Sequence, residues 1–292
     1  MSNVDTTPFD LDLGLAGTHV LITGGCGHIG RVVARAFLAA GCYVSIIDLS
    51  DQHPLELVDN ENLIFISADI TDVLRVDAAF SHAESKFGPV QTCIALASLD
   101  LSVLPQSDSL ADMDAELWRR VFDVNIHGTF ATCQRWLRGI RAAVADPAKV
   151  GKLRNVSLVM MGSESGRFGV RTMAAYAAGK SAVQEGLLKS LAQDAPRLWA
   201  DARVNAVAPG AVDTETFRQE VERFGENWRW RECEATVPMA KAIPCEDVAR
   251  TILFLASEQY SGSVNGQLIP IDGGKTGTVV WTKEELASSR TN

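Results

Sequence analysis

The chain has 292 residues, 47% of them hydrophobic, and a formal net charge of −9. This length allows one large α/β domain or two small ones, and the ordinary apolar content excludes wholesale disorder. The negative charge, without any basic stripe along the chain, argues against a nucleic-acid-binding protein.

Signals for targeting, membrane insertion and cross-linking are missing from the sequence. The first residues, MSNVDTTPFDLDLGLAG, are acidic and lack the apolar core of a secretory signal. No apolar run approaches the roughly 18 residues that span a bilayer. The six cysteines have neither zinc-site spacings nor the pattern of a disulfide framework. We therefore expect a soluble cytoplasmic protein with reduced thiols and no metal.

Short β-branched runs alternate with segments of helical periodicity along most of the chain. Apolar strands that alternate with helices indicate a parallel sheet covered on both faces. No linker or repeat interrupts the pattern, so we predict an N-terminal extension over 1–16 and a single three-layer domain over 17–292. The expected fold class is α/β, a doubly wound parallel sheet of Rossmann type. The predicted strands are THVLIT (18–23), YVSIID (43–48), LIFISA (63–68), VQTCIALA (90–97), RNVSLVMM (154–161), RVNAVA (203–208) and GQLIPI (266–271), and the main predicted helices cover 30–41, 114–140 and 176–195.

Residues 211–240 differ from the rest because they are rich in charged and aromatic side chains. They follow a strand on the side where open α/β sheets bind ligands, which favours a mobile lid over a substrate. Surface helices with solvated charges are the alternative. The aromatic and thioether side chains favour an apolar or ring-bearing substrate, and they are Phe217, Trp228, Trp230 and Met239.

The glycine-rich stretch TGGCGHIG (23–30) connects the first predicted strand to a helix. Gly25, Gly27 and Gly30 satisfy the G-x-G-x-x-G pattern in the context that makes it credible for dinucleotide binding. Glycines allow backbone N–H groups to approach a pyrophosphate, and the helix N-terminus adds a partial positive charge facing that anion. The pattern predicts a dinucleotide site.

Two acidic residues follow the next strands. Asp48 lies 18 residues beyond Gly30, close to the ~20 expected for the acid that binds the adenosine ribose. A carboxylate there favours NAD over NADP, although Arg31 is near in sequence; an ordinary turn residue is the alternative. Asp69 can accept from the adenine amino group, cap the following helix, or do both.

Tyr176 and Lys180 stand one helical turn apart in AAYAAGKSA (174–182), on one face of a helix. The Y-x-x-x-K pair follows Ser163 by thirteen residues. Combined with the glycine turn, the acid after the second strand, VNIHGTF, RVNAVAPG and IDGG, it resembles the short-chain dehydrogenase/reductase family. The resemblance extends from about Gly17 to Gly274. It implies a single Rossmann-type domain that carries both the cofactor and the substrate site.

The resemblance places the catalytic set on Asn125, Ser163, Tyr176 and Lys180. An ammonium close to a phenol favours the phenolate, so Lys180 and the oxidised nicotinamide are expected to lower the pKa of Tyr176 from its ordinary value near 10. Tyr176 then exchanges a proton with the substrate oxygen, and Ser163 hydrogen-bonds to the same oxygen. Ser165, two residues later, is the alternative to Ser163. Lys180 binds the nicotinamide ribose, and Asn125 anchors a water that links Lys180 to solvent.

The cofactor-binding residues implied by the resemblance extend over the carboxyl ends of the predicted strands. The loop APGAVDT (208–214) is expected to border the nicotinamide carboxamide. The full set comprises Gly24, Gly25, Gly27, His28, Ile29, Gly30, Asp48, Asp69, Ile70, Ala97, Asn125, Tyr176, Lys180, Pro209, Gly210, Val212 and Thr214.

The chain departs from the common family pattern in two places. His28 stands where the middle glycine of T-G-x-x-x-G-x-G is usual, and the resulting spacing is similar to the sugar-nucleotide-modifying branch. His28 either lies close to the phosphates or, as we favour, covers the turn. Ala95 to Ser98 replace a common Asn-Asn-Ala-Gly, and Ser98 can supply a substitute hydroxyl.

We therefore expect an NAD(H)-dependent oxidoreductase that interconverts a secondary alcohol and a ketone. The alternatives are a dinucleotide-sensing protein without catalysis and an epimerase or dehydratase in which bound NAD cycles internally. By resemblance, the chain is expected to form a homotetramer or dimer through the helices around 114–140 and 176–195.

Overall fold

Seven parallel strands form one sheet in the computed structural model, which describes residues 10–51 and 60–289. Their order is β3-β2-β1-β4-β5-β6-β7, so the sheet extends in opposite directions from the central pair β1 and β4. Such a reversal opens a crevice at the carboxyl ends of the strands. The strands are β1 (His19–Thr23), β2 (Tyr43–Asp48), β3 (Leu63–Ser67), β4 (Thr92–Ala95), β5 (Ser157–Met161), β6 (Arg203–Pro209) and β7 (Leu268–Ile271).

Helices cover both faces of the sheet, as the sequence predicts. Side chains of β1 alternate between two hydrophobic layers: Leu21 belongs to one, and Val20 and Ile22 belong to the other. This alternation follows from the two-residue repeat of a strand, and it confirms the three-layer α/β fold. The helices are α1 (His28–Ala39), α2 (Val73–Phe87), α3 (Ala115–Phe122), α4 (Thr129–Val144), α5 (Pro147–Val150), α6 (Ser165–Phe168), α7 (Ala174–Ser181), α8 (Leu188–Leu198), α9 (Glu215–Phe224), α10 (Glu226–Arg229), α11 (Cys245–Ala256), α12 (Glu258–Ser261) and α13 (Lys283–Ser289).

Both of the long helices predicted from the sequence contain a wider π-helical turn. The turn Asp123–Gly128 separates α3 from α4, and the turn Ala182–Leu187 separates α7 from α8. Such turns insert an extra residue into the helical repeat and are frequent at functional sites. Asn125 and Gln184 lie in these turns, are both buried, and contact the loops that follow β4 and β5.

The described part of the predicted extension, residues 10–16, packs against the body of the protein. Leu15 is fully buried, and the Tyr260 hydroxyl donates to the Leu11 carbonyl at 2.7 Å. The first nine residues lie outside the described part of the chain. Within residues 10–51 and 60–289, no helix combines the length and the apolar character needed to cross a bilayer.

Residues 211–240, the lid segment, contain α9, α10 and a π-helical turn over Trp230–Glu234. The chain beyond β7 packs on this segment. The Trp230 indole donates to the Trp281 carbonyl at 3.1 Å, and the Trp281 indole donates to the Pro238 carbonyl at 3.1 Å. The residues that follow β7 therefore help to hold the lid segment in place.

Candidate active site

A cleft of about 1510 Å³ follows the carboxyl ends of the strands. It contains most of the site residues predicted from the sequence, although they come from all parts of the chain. Among the predicted catalytic and cofactor-binding residues, Gly25 and Asn125 do not line it. Those that do are Gly24, Gly27, His28, Ile29, Gly30, Asp48, Asp69, Ile70, Ala97, Ser163, Tyr176, Lys180, Pro209, Gly210, Val212 and Thr214.

At two positions of the glycine turn, neighbouring backbone leaves no space for a side chain. Gly24 has a φ of +73°, and a Cβ there would lie 2.8 Å from the Ala97 backbone. A Cβ on Gly30 would lie 2.2 Å from the Gly24 carbonyl oxygen. The N-cap residue of α1, Gly27, provides no side-chain cap, so this helix begins with its backbone N–H groups turned to the cleft edge. The turn therefore fits an anionic pyrophosphate.

Gly25 packs against the sheet and does not line the cleft. It is buried, and a Cβ there would lie 2.6 Å from the Ile46 side chain of β2. The small size of Gly25 therefore lets the turn pack on the sheet, and its contact with a cofactor stays a prediction.

Asp48 stands at the end of β2 with both carboxylate oxygens oriented by the backbone. The Cys26 N–H donates to Oδ2 at 2.9 Å, and the Ser50 N–H donates to Oδ1 at 3.0 Å. Burial and the Asp48 charge raise the pKa of the Cys26 thiol to about 11. Asp48 thus ties the glycine turn to the second strand and presents a fixed carboxylate to the cleft.

Asp69 lines the cleft but does not cap the following helix. Its Oδ1 accepts from the Thr71 N–H and hydroxyl, both at 2.8 Å. The N-cap of α2 is Asp72, whose carboxylate accepts from the Leu74 N–H at 3.0 Å. The capping alternative for Asp69 is therefore wrong.

Tyr176 and Ser163 meet at the other end of the cleft. Tyr176, in the first turn of α7, is only 5% exposed, and the Ser163 side chain lies close enough to its phenol to affect its pKa. Ser163 follows β5, and its N–H donates to the Gln184 Oε1 at 2.9 Å. The Ser165 N–H donates to the Ser163 Oγ at 3.1 Å, and both serines line the cleft, so the choice of Ser163 over Ser165 stays a prediction.

The surroundings of Tyr176 raise the pKa of its phenol. Burial is the largest cause, and the Asp100 charge adds to it, while the Ser163 side chain acts in the opposite direction. The groups that the chain itself supplies therefore raise the pKa of Tyr176, and a lowered pKa beside the oxidised nicotinamide stays a prediction. Burial disfavours the phenolate more than its neighbours favour it.

Lys180 is 2% exposed, and its ammonium is held by two oxygen acceptors. Nζ donates to the Met161 carbonyl at 3.0 Å and to the Ser98 hydroxyl at 3.2 Å. It also lies 5.5 Å from the centroid of the Tyr176 ring. Burial lowers the pKa of Lys180 to about 8, and the Asp100 charge partly opposes this effect.

Asn125 lies behind the cleft wall, where it fixes the loop that follows β4. Its Oδ1 accepts from the Leu99 N–H at 2.7 Å, and its Nδ2 donates to the Leu99 carbonyl at 3.1 Å. This two-point contact orients the loop that carries Ser98 and Asp100. A water link between Asn125 and Lys180 stays a prediction.

An ion pair that sequence reasoning missed lies next to Ser163. The Lys275 ammonium contacts the Glu164 carboxylate at 2.6 Å, and both side chains are largely buried. Burial raises the pKa of Glu164 despite Lys275. The position of Glu164 next to Ser163 was the only sequence signal for this ion pair, because Lys275 lies 111 residues away.

The lid segment contributes part of its predicted aromatic wall. Phe217 and Trp228 line the cleft, with their ring centroids 5.6 Å apart. Trp230 instead packs against the C-terminal residues, and Met239 is 58% exposed. The same wall has charged side chains that were not predicted, namely Glu220, Arg231 and Glu232.

Within the described residues, no three His, Cys, Asp or Glu side chains converge as for a metal ion.

Residues 27–276 match the family model described as Enoyl-(Acyl carrier protein) reductase. The chain belongs to the short-chain dehydrogenase/reductase family. It is 31% identical over 255 residues to the 3-oxoacyl-[acyl-carrier-protein] reductase MabA of Mycobacterium tuberculosis (strain ATCC 25618 / H37Rv), covering 87% of this chain and 91% of that protein. Members of this oxidoreductase family use nicotinamide cofactors.

Two further relatives in this family are named as dehydrogenases. The trans-4-hydroxycyclohexanecarboxylate dehydrogenase of Sinomonas cyclohexanicum is 30% identical over 268 residues, covering 88% of this chain and 92% of that protein. The 2-(S)-hydroxypropyl-CoM dehydrogenase 3 of Xanthobacter autotrophicus (strain ATCC BAA-1158 / Py2) is 29% identical over 263 residues, covering 88% of this chain and 96% of that protein. The crystal structure of gox2181 shares the fold with a TM-score of 0.77 and 25% identity, covering 90% of this chain and 97% of that one.

Proposed function

We propose that this short-chain dehydrogenase/reductase interconverts a secondary alcohol and a ketone with NAD(H). The single observation that carries the proposal is the grouping of Tyr176, Ser163 and the buried Lys180 on the cleft wall, with the Lys180 ammonium 5.5 Å from the tyrosine ring. A phenol and a hydroxyl directed to one oxygen atom suit proton exchange with a carbonyl or an alcohol. A protein that only senses dinucleotides has no need of this arrangement.

The residues at the two ends of the cleft fit a nicotinamide dinucleotide. The glycine turn would hold the pyrophosphate, Asp48 the adenosine ribose and Lys180 the nicotinamide ribose. The loop from Pro209 to Thr214 would border the carboxamide. When bound, the cofactor would supply or accept the hydride, and the chain's own residues would handle the proton.

Proton transfer is the task assigned to Tyr176. Because its pKa is raised, the phenol is protonated at neutral pH and is ready to donate to a carbonyl oxygen. Ser163 would hold that oxygen with its hydroxyl. Oxidation of an alcohol needs the reverse transfer, so alkaline conditions favour it.

Asp48 supports NAD over NADP. Its fixed carboxylate lies on the cleft wall after β2, where it can accept from the ribose hydroxyls. A 2′-phosphate at that place would meet a like charge, which is unfavourable at short distance.

The substrate end favours a molecule with an apolar or ring-shaped part. Phe217 and Trp228 supply flat apolar surface, and Glu220 and Glu232 place charge on the same wall. Two relatives are named for secondary alcohols, one of them on a cyclohexane ring.

We also propose that the chain forms a homo-oligomer. Helix α4 presents the half-exposed Phe130 for such an interface. Light scattering of the purified protein tests the oligomeric state.

Purified protein supplied with NAD or NADP and a graded panel of cyclic and open-chain secondary alcohols tests the proposal. We expect formation of reduced cofactor with at least one cyclic alcohol and preferentially with NAD. Tight NAD binding without turnover of any alcohol or ketone would contradict the proposal and favour a sensor. Failure to bind either cofactor would contradict both.

A further inference from the structure

A serine hydroxyl occupies the place next to the buried lysine where many family members have glycine. Ser98 ends the segment Ala95 to Ser98, which departs from the common Asn-Asn-Ala-Gly. Its Oγ lies 3.2 Å from the Lys180 Nζ, and both residues line the cleft. A glycine at position 98 could not make this contact.

The loop that carries Ser98 is fixed on both sides of the residue. The Ala97 N–H donates to the Thr23 hydroxyl at 3.3 Å, and the Leu99 backbone is held by Asn125 at 2.7 and 3.1 Å. The backbone position of Ser98 is therefore set by its neighbours rather than by the lysine. The lysine side chain, with its four flexible bonds, adapts to that position.

An ammonium group has three N–H donors. For Lys180, one donates to the Met161 carbonyl at 3.0 Å and a second donates to Ser98. Two fixed acceptors determine the direction of the third donor. In a cleft that holds a dinucleotide, that donor is the one left for a ribose hydroxyl.

We propose that Ser98 is a positioning residue that aims the Lys180 ammonium at the nicotinamide ribose and keeps it charged. This inference rests on the proposed function, because it assumes that a nicotinamide cofactor occupies the cleft. Ser98 acts through Lys180 and does not need to contact the reacting atoms.

The charge of Lys180 depends on a small number of groups. Burial lowers its pKa to about 8, and Asp100, on the same loop as Ser98, raises it. Tyr176 is the titratable neighbour on α7, while Met161 on β5 and Ser98 present neutral oxygen acceptors. A hydroxyl that accepts from the ammonium stabilises the charged form, so its removal lowers the pKa further.

The test is the affinity for NADH, measured by fluorescence titration between pH 6 and 10 in wild type, Ser98→Ala and Ser98→Thr. We expect wild-type affinity to fall through a midpoint near the lysine pKa of about 8. Ser98→Ala should bind NADH about tenfold more weakly at pH 7, as expected for a lost hydrogen bond to a charged group. Its midpoint should shift by about one pH unit to lower pH. Ser98→Thr keeps the hydroxyl and should restore both values.

A second pair of variants, Ser98→Thr and Ser98→Val, separates the effect of the hydroxyl from a folding defect in Ser98→Ala. Thr and Val have nearly the same shape, so Ser98→Val should lose affinity relative to Ser98→Thr, with the same shift of the midpoint. Equal affinity and equal midpoints in the hydroxyl-bearing and hydroxyl-free variants would overturn the role of Ser98 and leave the proposed function intact. A wild-type protein that binds no NADH at any pH would instead overturn the proposed function, and this inference with it.

Discussion

The imidazole Nε2 of His28 lies 3.0 Å from the hydroxyl of Thr216, although 188 residues separate them in the chain. Arg31 Nη2 lies 3.4 Å from the other ring nitrogen, so Nδ1 accepts and Nε2–H donates to Thr216. His28 begins α1 at the glycine turn and Thr216 belongs to the lid segment. This hydrogen bond therefore connects the two sides of the cleft.

Loss of this contact should speed the release of NADH. A neutral hydrogen bond contributes about 1 kcal/mol, so we expect Thr216→Val to release NADH about fivefold faster in stopped-flow displacement. Thr216→Ser keeps the hydroxyl and serves as the control. Equal release rates in the Val and Ser variants would show that the lid segment does not restrain the cofactor.

Asp48→Ser should relax the preference for NAD. Removing the carboxylate removes its repulsion of a 2′-phosphate, and we expect the ratio of NADP to NAD affinity to rise by about tenfold or more. Asp51→Ser, which removes an exposed carboxylate three residues later, is the matched control and should change the ratio little. Isothermal titration with both cofactors measures the effect. An unchanged ratio in Asp48→Ser would remove the basis for assigning NAD.

His19 should make the protein sensitive to acid. It is 1% exposed, its Nδ1 donates to the Gly88 carbonyl at 2.8 Å, and its Nε2 lies 2.9 Å from the Ser45 hydroxyl. Burial lowers the pKa of His19 from 6.5 to about 4. The unfolded chain therefore binds the proton first, and the free energy of unfolding falls as the pH drops from about 6.5 to 4, by about 3 kcal/mol at most.

Urea unfolding at pH 7.5 and pH 5 measures this dependence. His19→Gln should unfold with a smaller difference between the two pH values than wild type, whatever its absolute stability. His127→Gln, which replaces a histidine with a 69% exposed side chain, should keep the wild-type difference. An undiminished difference in His19→Gln would assign the acid sensitivity to other groups.

The sheet and the glycine turn could be predicted because their signals are local in sequence. Apolar runs of strand length and the spacing from Gly30 to Asp48 carry the information within a few tens of residues. The π-helical turns were not predicted. One extra residue in a helical repeat changes the apolar periodicity too little to be read from a pattern, and the contacts that stabilise Asn125 come from Leu99.

Contacts between loops could not be predicted, because they depend on which strand ends become neighbours. Ser98 and Lys180 lie 82 residues apart, and Glu164 and Lys275 lie 111 apart. The upward effect of the chain's own groups on the Tyr176 pKa could not be predicted for a related reason. Its helix face and the neighbouring lysine were visible in the sequence, but the depth of its burial was not.

The rate of hydride transfer in Tyr176→Phe is the sharpest test of proton transfer by Tyr176. With the cofactor bound and a substrate from the alcohol panel, single-turnover absorbance measures this step apart from binding. General acid–base catalysis contributes roughly 10²–10⁴-fold, so we expect a loss of at least about 100-fold while NADH affinity stays at the wild-type value. A Tyr176→Phe protein that transfers hydride at the wild-type rate would contradict this role of Tyr176.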